Sequence, residues 1–166
     1  MEPETPQHKI IRYIDDAIAL EAASITAMRD MAADAVTTDE TLLFQTHLTE
    51  SESQKQRLEG RMMALGGESK RSVLKDVMNS IGIAATNLLH AAKSDGEKDT
   101  RNLLQAYAME SLEVAVYEAL YAAAFQSDDT DTATLAKQIQ EEESSMARRV
   151  FAHIGASSVT AVCTAA

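Results

Sequence analysis

Apolar residues recur along this chain at alternating steps of three and four, the spacing that lines them up on one stripe of an α-helix. The clearest case covers about residues 95–125. There Leu103, Ala106, Glu110, Glu113, Tyr117, Leu120 and Ala124 share a stripe, with no proline and no glycine after Gly96. Upstream, Thr5-Pro6 reads as an N-cap with proline at the first helical position. The helix it opens runs to about residue 35, with Ile14, Ile18, Glu21, Ile25 and Met28 inward. Thr37-x-x-Glu40 is a capping box, and Gly66-Gly67 stops the helix it opens. The inner face of that second helix is Leu43, His47, Glu50, Gln54, Leu58 and Leu65.

Val73, Leu74, Val77, Met78, Ile81, Ala85, Leu88 and Leu89 predict a connecting helix over about residues 70–92, without an inward acid. Ser94-x-x-Glu97 is a second capping box, which starts the central helix, and polar residues 126–130 end it. A last helix is expected over about residues 131–154, with Leu135, Ile139, Glu142, Met146, Val150 and His153 inward. Residues 156–166 show no assignable pattern and are expected to form a disordered tail, which leaves one domain over residues 1–155. The class is all-α. The expected architecture is an antiparallel four-helix bundle with an additional crossover helix.

Composition narrows the function. A hydrophobic fraction of 45% with few aromatics suits helices packed through Ala, Leu, Ile and Met. The net charge of -11 argues against nucleic acid, whose phosphates call for a dense basic face, and favours attraction of cations. No apolar run reaches the length of a membrane span and no signal peptide is read at the start, so the expectation is a cytoplasmic protein. The single cysteine, Cys163, excludes an intramolecular disulfide and fits a reducing compartment.

The candidate chemistry lies in acids on otherwise apolar stripes. An ionised carboxylate buried among apolar side chains costs several kcal/mol unless it is paired or bound to a cation. Glu21, His47 with Glu50, Glu110 with Glu113, and Glu142 place at least one such group on each of four helices. Carboxylate-bridged di-iron and di-manganese sites of ferritin-like bundles use a Glu from each of two helices and a Glu-x-x-His pair from each of the others. This set has one histidine fewer. Carboxylates with a single imidazole suit iron or manganese better than calcium or structural zinc, and two such ions can act on oxygen or peroxide. Tyr117, one turn beyond Glu113, is the candidate catalytic side chain, either relaying protons or electrons or supporting a ligating carboxylate. Glu141 and Glu143 read as solvent-facing, His8, His90 and His153 as structural or exposed, and the methionines as core filler. In the competing reading, each acid is solvated or salt-bridged on a helix whose inward stripe lies one residue away.

The order His47-Leu48-Thr49-Glu50-Ser51, Gln54, Arg57-Leu58-Glu59, Leu65-Gly66, Glu110-x-x-Glu113-x-x-x-Tyr117 and Ile139-x-Glu141-Glu142 resembles the bacterial YciE/YciF group of ferritin-like proteins, the family labelled DUF892. The resemblance implies a ferritin-like bundle, a homodimer, a di-metal site and an association with stress. It carries metal-ligand roles onto Glu21, His47, Glu50, Glu110, Glu113 and Glu142. The function expected is that of a di-metal oxidoreductase, a ferroxidase or a peroxidase or catalase-like enzyme. The alternatives are a metal-binding protein without turnover and a metal-free structural stress protein.

Overall fold

The computed structural model describes residues 4–68 and 94–163, which form four long helices: α1 (Pro6–Asp34), α2 (Thr38–Ala64), α3 (Asp95–Gln126) and α4 (Thr130–Cys163). The expected connecting helix over residues 70–92 lies outside the described residues. Local chemistry sets the helix ends. The Thr5 hydroxyl accepts the His8 N–H at 3.2 Å with Pro6 following, and Ser94 and Glu97 complete a reciprocal capping box. The C-terminus of α2 closes on Gly66, whose φ of +74° is the left-handed conformation glycine tolerates, with the Gly67 N–H bonded to the Met62 carbonyl.

Three-residue turns join α1 to α2 and α3 to α4, so each pair is an antiparallel hairpin. The core shows how the hairpins meet. One apolar cluster joins Met28 and Met31 of α1 to Phe44 of α2, Leu103 and Met109 of α3, and Met146 and Val150 of α4. The other joins Ile10 and Ile14 to Leu58 and Met62, Tyr117 and Leu120, and Ala136 and Ile139. The start of α1 therefore packs against the end of α2, the end of α3 and the start of α4. In consequence α2 and α3 run parallel, and α2 ends at the opposite end of the bundle from the start of α3. That is the topology of bundles with one crossover connection. The expected all-α, ferritin-like bundle is the fold observed.

Two expectations about α4 are corrected. The helix does not stop at Gly155 but continues to Cys163. Small residues allow this: Ser157 and Ala161 are buried, the Thr100 and Ser157 hydroxyls lie 3.2 Å apart, and Gly96 of α3 packs directly on the Ala161 backbone. A methyl at Gly96 would meet the Ala161 Cα at 2.8 Å. The second correction is the inward register, which presents Ala136, Ile139, Glu143, Met146 and Val150. Glu143 is fully buried, whereas the Glu142 side chain is 41% exposed.

Gly96→Ala should lower the free energy of unfolding by about 1–3 kcal/mol through overpacking. Gly155→Ala, at a position with open space around it, should raise it by roughly 0.5–1 kcal/mol. Urea unfolding of the two variants checks both, and a Gly96→Ala protein as stable as its parent would show that the end of α4 is not docked.

Candidate metal centre

Between the two apolar clusters every helix turns polar at the same level. Glu21 and Ser24 come from α1, His47 and Ser51 from α2, Glu110 and Glu113 from α3, and Glu143 from α4, all buried. Each group is flanked along its own helix by core residues of the two clusters: Ile18 and Met28, Phe44 and Leu58, Met109 and Tyr117, Ile139 and Met146. Helical spacing thus stacks one polar slab inside an otherwise apolar bundle.

One ligand atom each from His47, Glu110, Glu113 and Glu143 lies within 4.8 Å of the others. His47 Nε2 is 2.9 Å from Glu110 Oε1, 3.3 Å from the Ser24 hydroxyl and 3.4 Å from the Ser51 hydroxyl. The Glu110 contact lacks the alignment of a hydrogen bond, since both Glu110 oxygens are buried without a hydrogen-bond partner. The same holds for both oxygens of Glu113 and Glu143 and for Glu21 Oε2, seven carboxylate oxygens in all. The other Glu21 oxygen accepts a short hydrogen bond from the buried Tyr117 hydroxyl. Buried acceptors are almost always paired in folded proteins. Seven facing one another form a group that could hold a metal ion.

Electrostatics agree. Burial, reinforced by the Glu143 charge, pushes Glu21 up to about 8. Burial likewise raises Glu110 to about 8 and, with the Glu110 charge, Glu143 to about 9, and it raises Glu113 well above 4.5. Burial pushes His47 the other way, below its ordinary value, against the pull of Glu143 and Glu21. The shift favours the neutral imidazole, the form that has a lone pair to offer.

Of the residues expected from sequence, Glu21, His47, Glu110 and Glu113 come together, and Tyr117 supports Glu21. Glu142 does not join them; Arg57 and Gln54 hold it at the surface. Glu50 stands at the rim, bonded to Arg149. Glu143 is the residue that sequence reasoning missed. Ala136, Ile139, Glu143, Met146 and Val150 step strictly three, four, three, four, but reading the stripe from Leu135 selects Glu142. In the corrected register, Met146 fills the position one turn after Glu143 where the fourth-helix histidine of a ferritin-like di-metal site would stand.

The family profile for DUF892, a domain of unknown function, matches residues 5–162. This chain belongs to the DUF892 family. No curated protein matches it. Among solved structures it is similar to the Escherichia coli stress protein YciF, at 20% identity and a TM-score of 0.82 over 98% of this chain and 99% of that one. YcfI from Rhodopseudomonas palustris, described as a proposed structural protein, is 20% identical with a TM-score of 0.79 over 90% and 94% of the two chains. A protein from Xanthomonas campestris is 22% identical with a TM-score of 0.71 over 93% and 94%. At these identities the likenesses establish the fold shared by this DUF892 chain and the three structures. Among the described residues no helix is long and apolar enough to cross a membrane.

The raised acids give the metal-free protein a definite pH dependence. Carboxyls at 4.5 in the unfolded chain rise to about 8 or 9 when folded, so the folded state keeps protons that the unfolded state releases. Stability of the metal-free protein should be greatest near the low end of that window and fall as pH climbs from 4.5 through about 9. Glu40, raised to about 7 by burial and by Asp99, contributes to the lower part of the decline. Urea midpoints across this range, for the parent and for Glu143→Gln, check it: the variant, whose amide at this position does not titrate, should show a shallower decline.

Proposed function

We propose that this DUF892 chain is a di-metal carboxylate protein that binds two iron or manganese ions in the polar slab and acts on oxygen or peroxide. The observation that carries the reading is the set of seven buried carboxylate oxygens without hydrogen-bond partners, gathered around the His47 imidazole. Four buried carboxylates bring four negative charges, which two divalent cations would neutralise. Oxygen donors with one nitrogen suit iron or manganese. When bound, such ions would supply redox chemistry toward oxygen or peroxide, as in a ferroxidase or peroxidase.

The side chains have distinct parts in this reading. His47, Glu110, Glu113 and Glu143 hold the ions, and Glu21 adds its free Oε2. Tyr117 orients Glu21 and keeps a phenolic proton at the edge of the slab, with its pKa raised well above the ordinary value by burial and by the Glu21 charge. The layers of Leu20, Met28 and Phe44 on one side and Ile14, Leu58 and Ile139 on the other keep bulk water from the acids. Likeness to YciF supports a stress-related role. A homodimer belongs to the same reading, and exposed Phe151, packed on Tyr107, would offer it an apolar contact.

A metal-free structural reading has one observation in its favour: the raised acids can be neutralised by protons alone. Metal analysis decides between the two. Protein loaded anaerobically with ferrous or manganous ion should retain about two ions per chain, and His47→Ala and Glu113→Gln should lose them. Free metal at a hundredfold its Kd should stabilise the parent by about 2.7 kcal/mol. Glu113→Gln should lose that gain while becoming more stable than the parent without metal, because a strained carboxylate is gone. No retained metal in the parent would leave the structural reading. Retained metal without oxygen or peroxide consumption would make the protein a metal carrier.

A further inference from the structure

The contacts between α2 and α4 raise a question about Glu50. Two carboxylates stand on the outer side of the slab, each beside a residue of the buried set: Glu142 next to Glu143, and Glu50 one turn from His47. They are held in different ways. Arg57 grips Glu142 with two nitrogens, Nη1 to Oε1 at 3.0 Å and Nη2 to Oε2, and Gln54 Nε2 donates a further bond at 3.1 Å. Among the described residues Glu50 receives one nitrogen, Arg149 Nη2, straddled by its two oxygens at 3.0 and 2.8 Å; Nε is buried without a partner in Arg149 and Arg57 alike, so the two pairs differ in the number of nitrogens that reach the carboxylate. A one-nitrogen contact lacks the paired geometry that makes arginine–carboxylate bridges strong, and a half-exposed pair of this kind is easily exchanged. Glu50 and Arg149 also lie close enough to His47 and Glu110 for their charges to act on both.

We propose that Arg149 is a built-in counter-cation of the metal centre, holding Glu50 at the rim, and that divalent metal competes with it for the Glu50 carboxylate. The inference rests on the di-metal reading above. Arg149 is a positioning residue: its positive charge opposes incoming cations, and its bond withholds a fifth carboxylate from the slab. Glu142, fixed by two side chains, stays outside in either state. With metal bound, Glu50 turns inward past His47, and the Arg149 guanidinium is released to solvent along α4.

The test is anaerobic equilibrium dialysis of the full chain against manganous ion, with metal analysis, and stopped-flow measurement of uptake. Arg149→Gln should bind at least about tenfold more tightly than the parent and load faster, chiefly because the Glu50 carboxylate is freed for the metal and in smaller part because one opposing charge is gone. Arg149→Lys, which keeps the charge, should stay near the parent, as should Arg57→Gln. Glu50→Gln should weaken binding, and adding Arg149→Gln to it should bring much less than the tenfold gain seen in the parent, because the two residues act on each other. Parent-like affinity and uptake in Arg149→Gln would overturn the proposal while the metal reading stands, as would full additivity of the two changes. No binding by the parent itself would remove the metal reading and the counter-cation role with it.

Discussion

The mutual burial of four carboxylates at one level of the bundle is the constraint on which the rest of the structure depends. Like charges this close, away from water, cannot all remain ionised without cations, so the slab must hold protons or metal. The bundle tolerates it because the slab is thin. Each helix gives it one turn, or slightly more, and then returns to Ile, Leu, Met or Phe on both sides. Backbone hydrogen bonding is satisfied within each helix, so the polar level does not disturb the scaffold.

The four helices are not joined equally. Within each hairpin the seam is built mainly from small and apolar residues, with the exposed Arg29–Glu52 pair across α1 and α2 and the Gln140–Glu118 hydrogen bond across α3 and α4, and near its far end α3 meets α4 backbone to backbone at Gly96 and Ala161. Between α2 and α4 the contacts include ion pairs: Arg57 with Glu142, Arg149 with Glu50, and, at the turn before α4, Arg61 with Asp129. Charged contacts of this kind open at lower cost than interlocked apolar ones. The α2/α4 side is therefore where the buried acids come nearest to exchangeable groups, and where the chemistry of the slab meets the surface.

Much of this was readable from residue order. The α3 stripe was legible throughout, because Leu103, Ala106, Glu110, Glu113, Tyr117, Leu120 and Ala124 alternate without a competing stripe, and all are buried. Thr5, Thr37 and Ser94 all cap their helices, but of the two expected capping boxes only that of Ser94 and Glu97 is reciprocal, because Glu40 accepts the Thr37 hydroxyl instead of closing back on its backbone N–H. In α4 the pattern is degenerate: Leu135 and Ala136 both precede Ile139, and Glu142 and Glu143 both reach Met146, so the larger leucine drew the stripe one residue away from its true line. The helical end of the chain was illegible for a related reason. Ala, Ser and Gly carry almost no amphipathic signal, yet they are the residues that permit close helix packing.

The sequence by itself determined that this protein is a helical bundle with acids and one histidine on its inner stripes, because helix periodicity and capping act over neighbouring residues and are written in their order. Only the tertiary structure decided which acids meet. Whether Glu142 or Glu143 enters the slab depends on the rotation of α4 against three other helices, and Glu50 stands at the rim bonded to an arginine ninety-nine residues away. Those choices are set by long-range packing and charge, which no local pattern encodes.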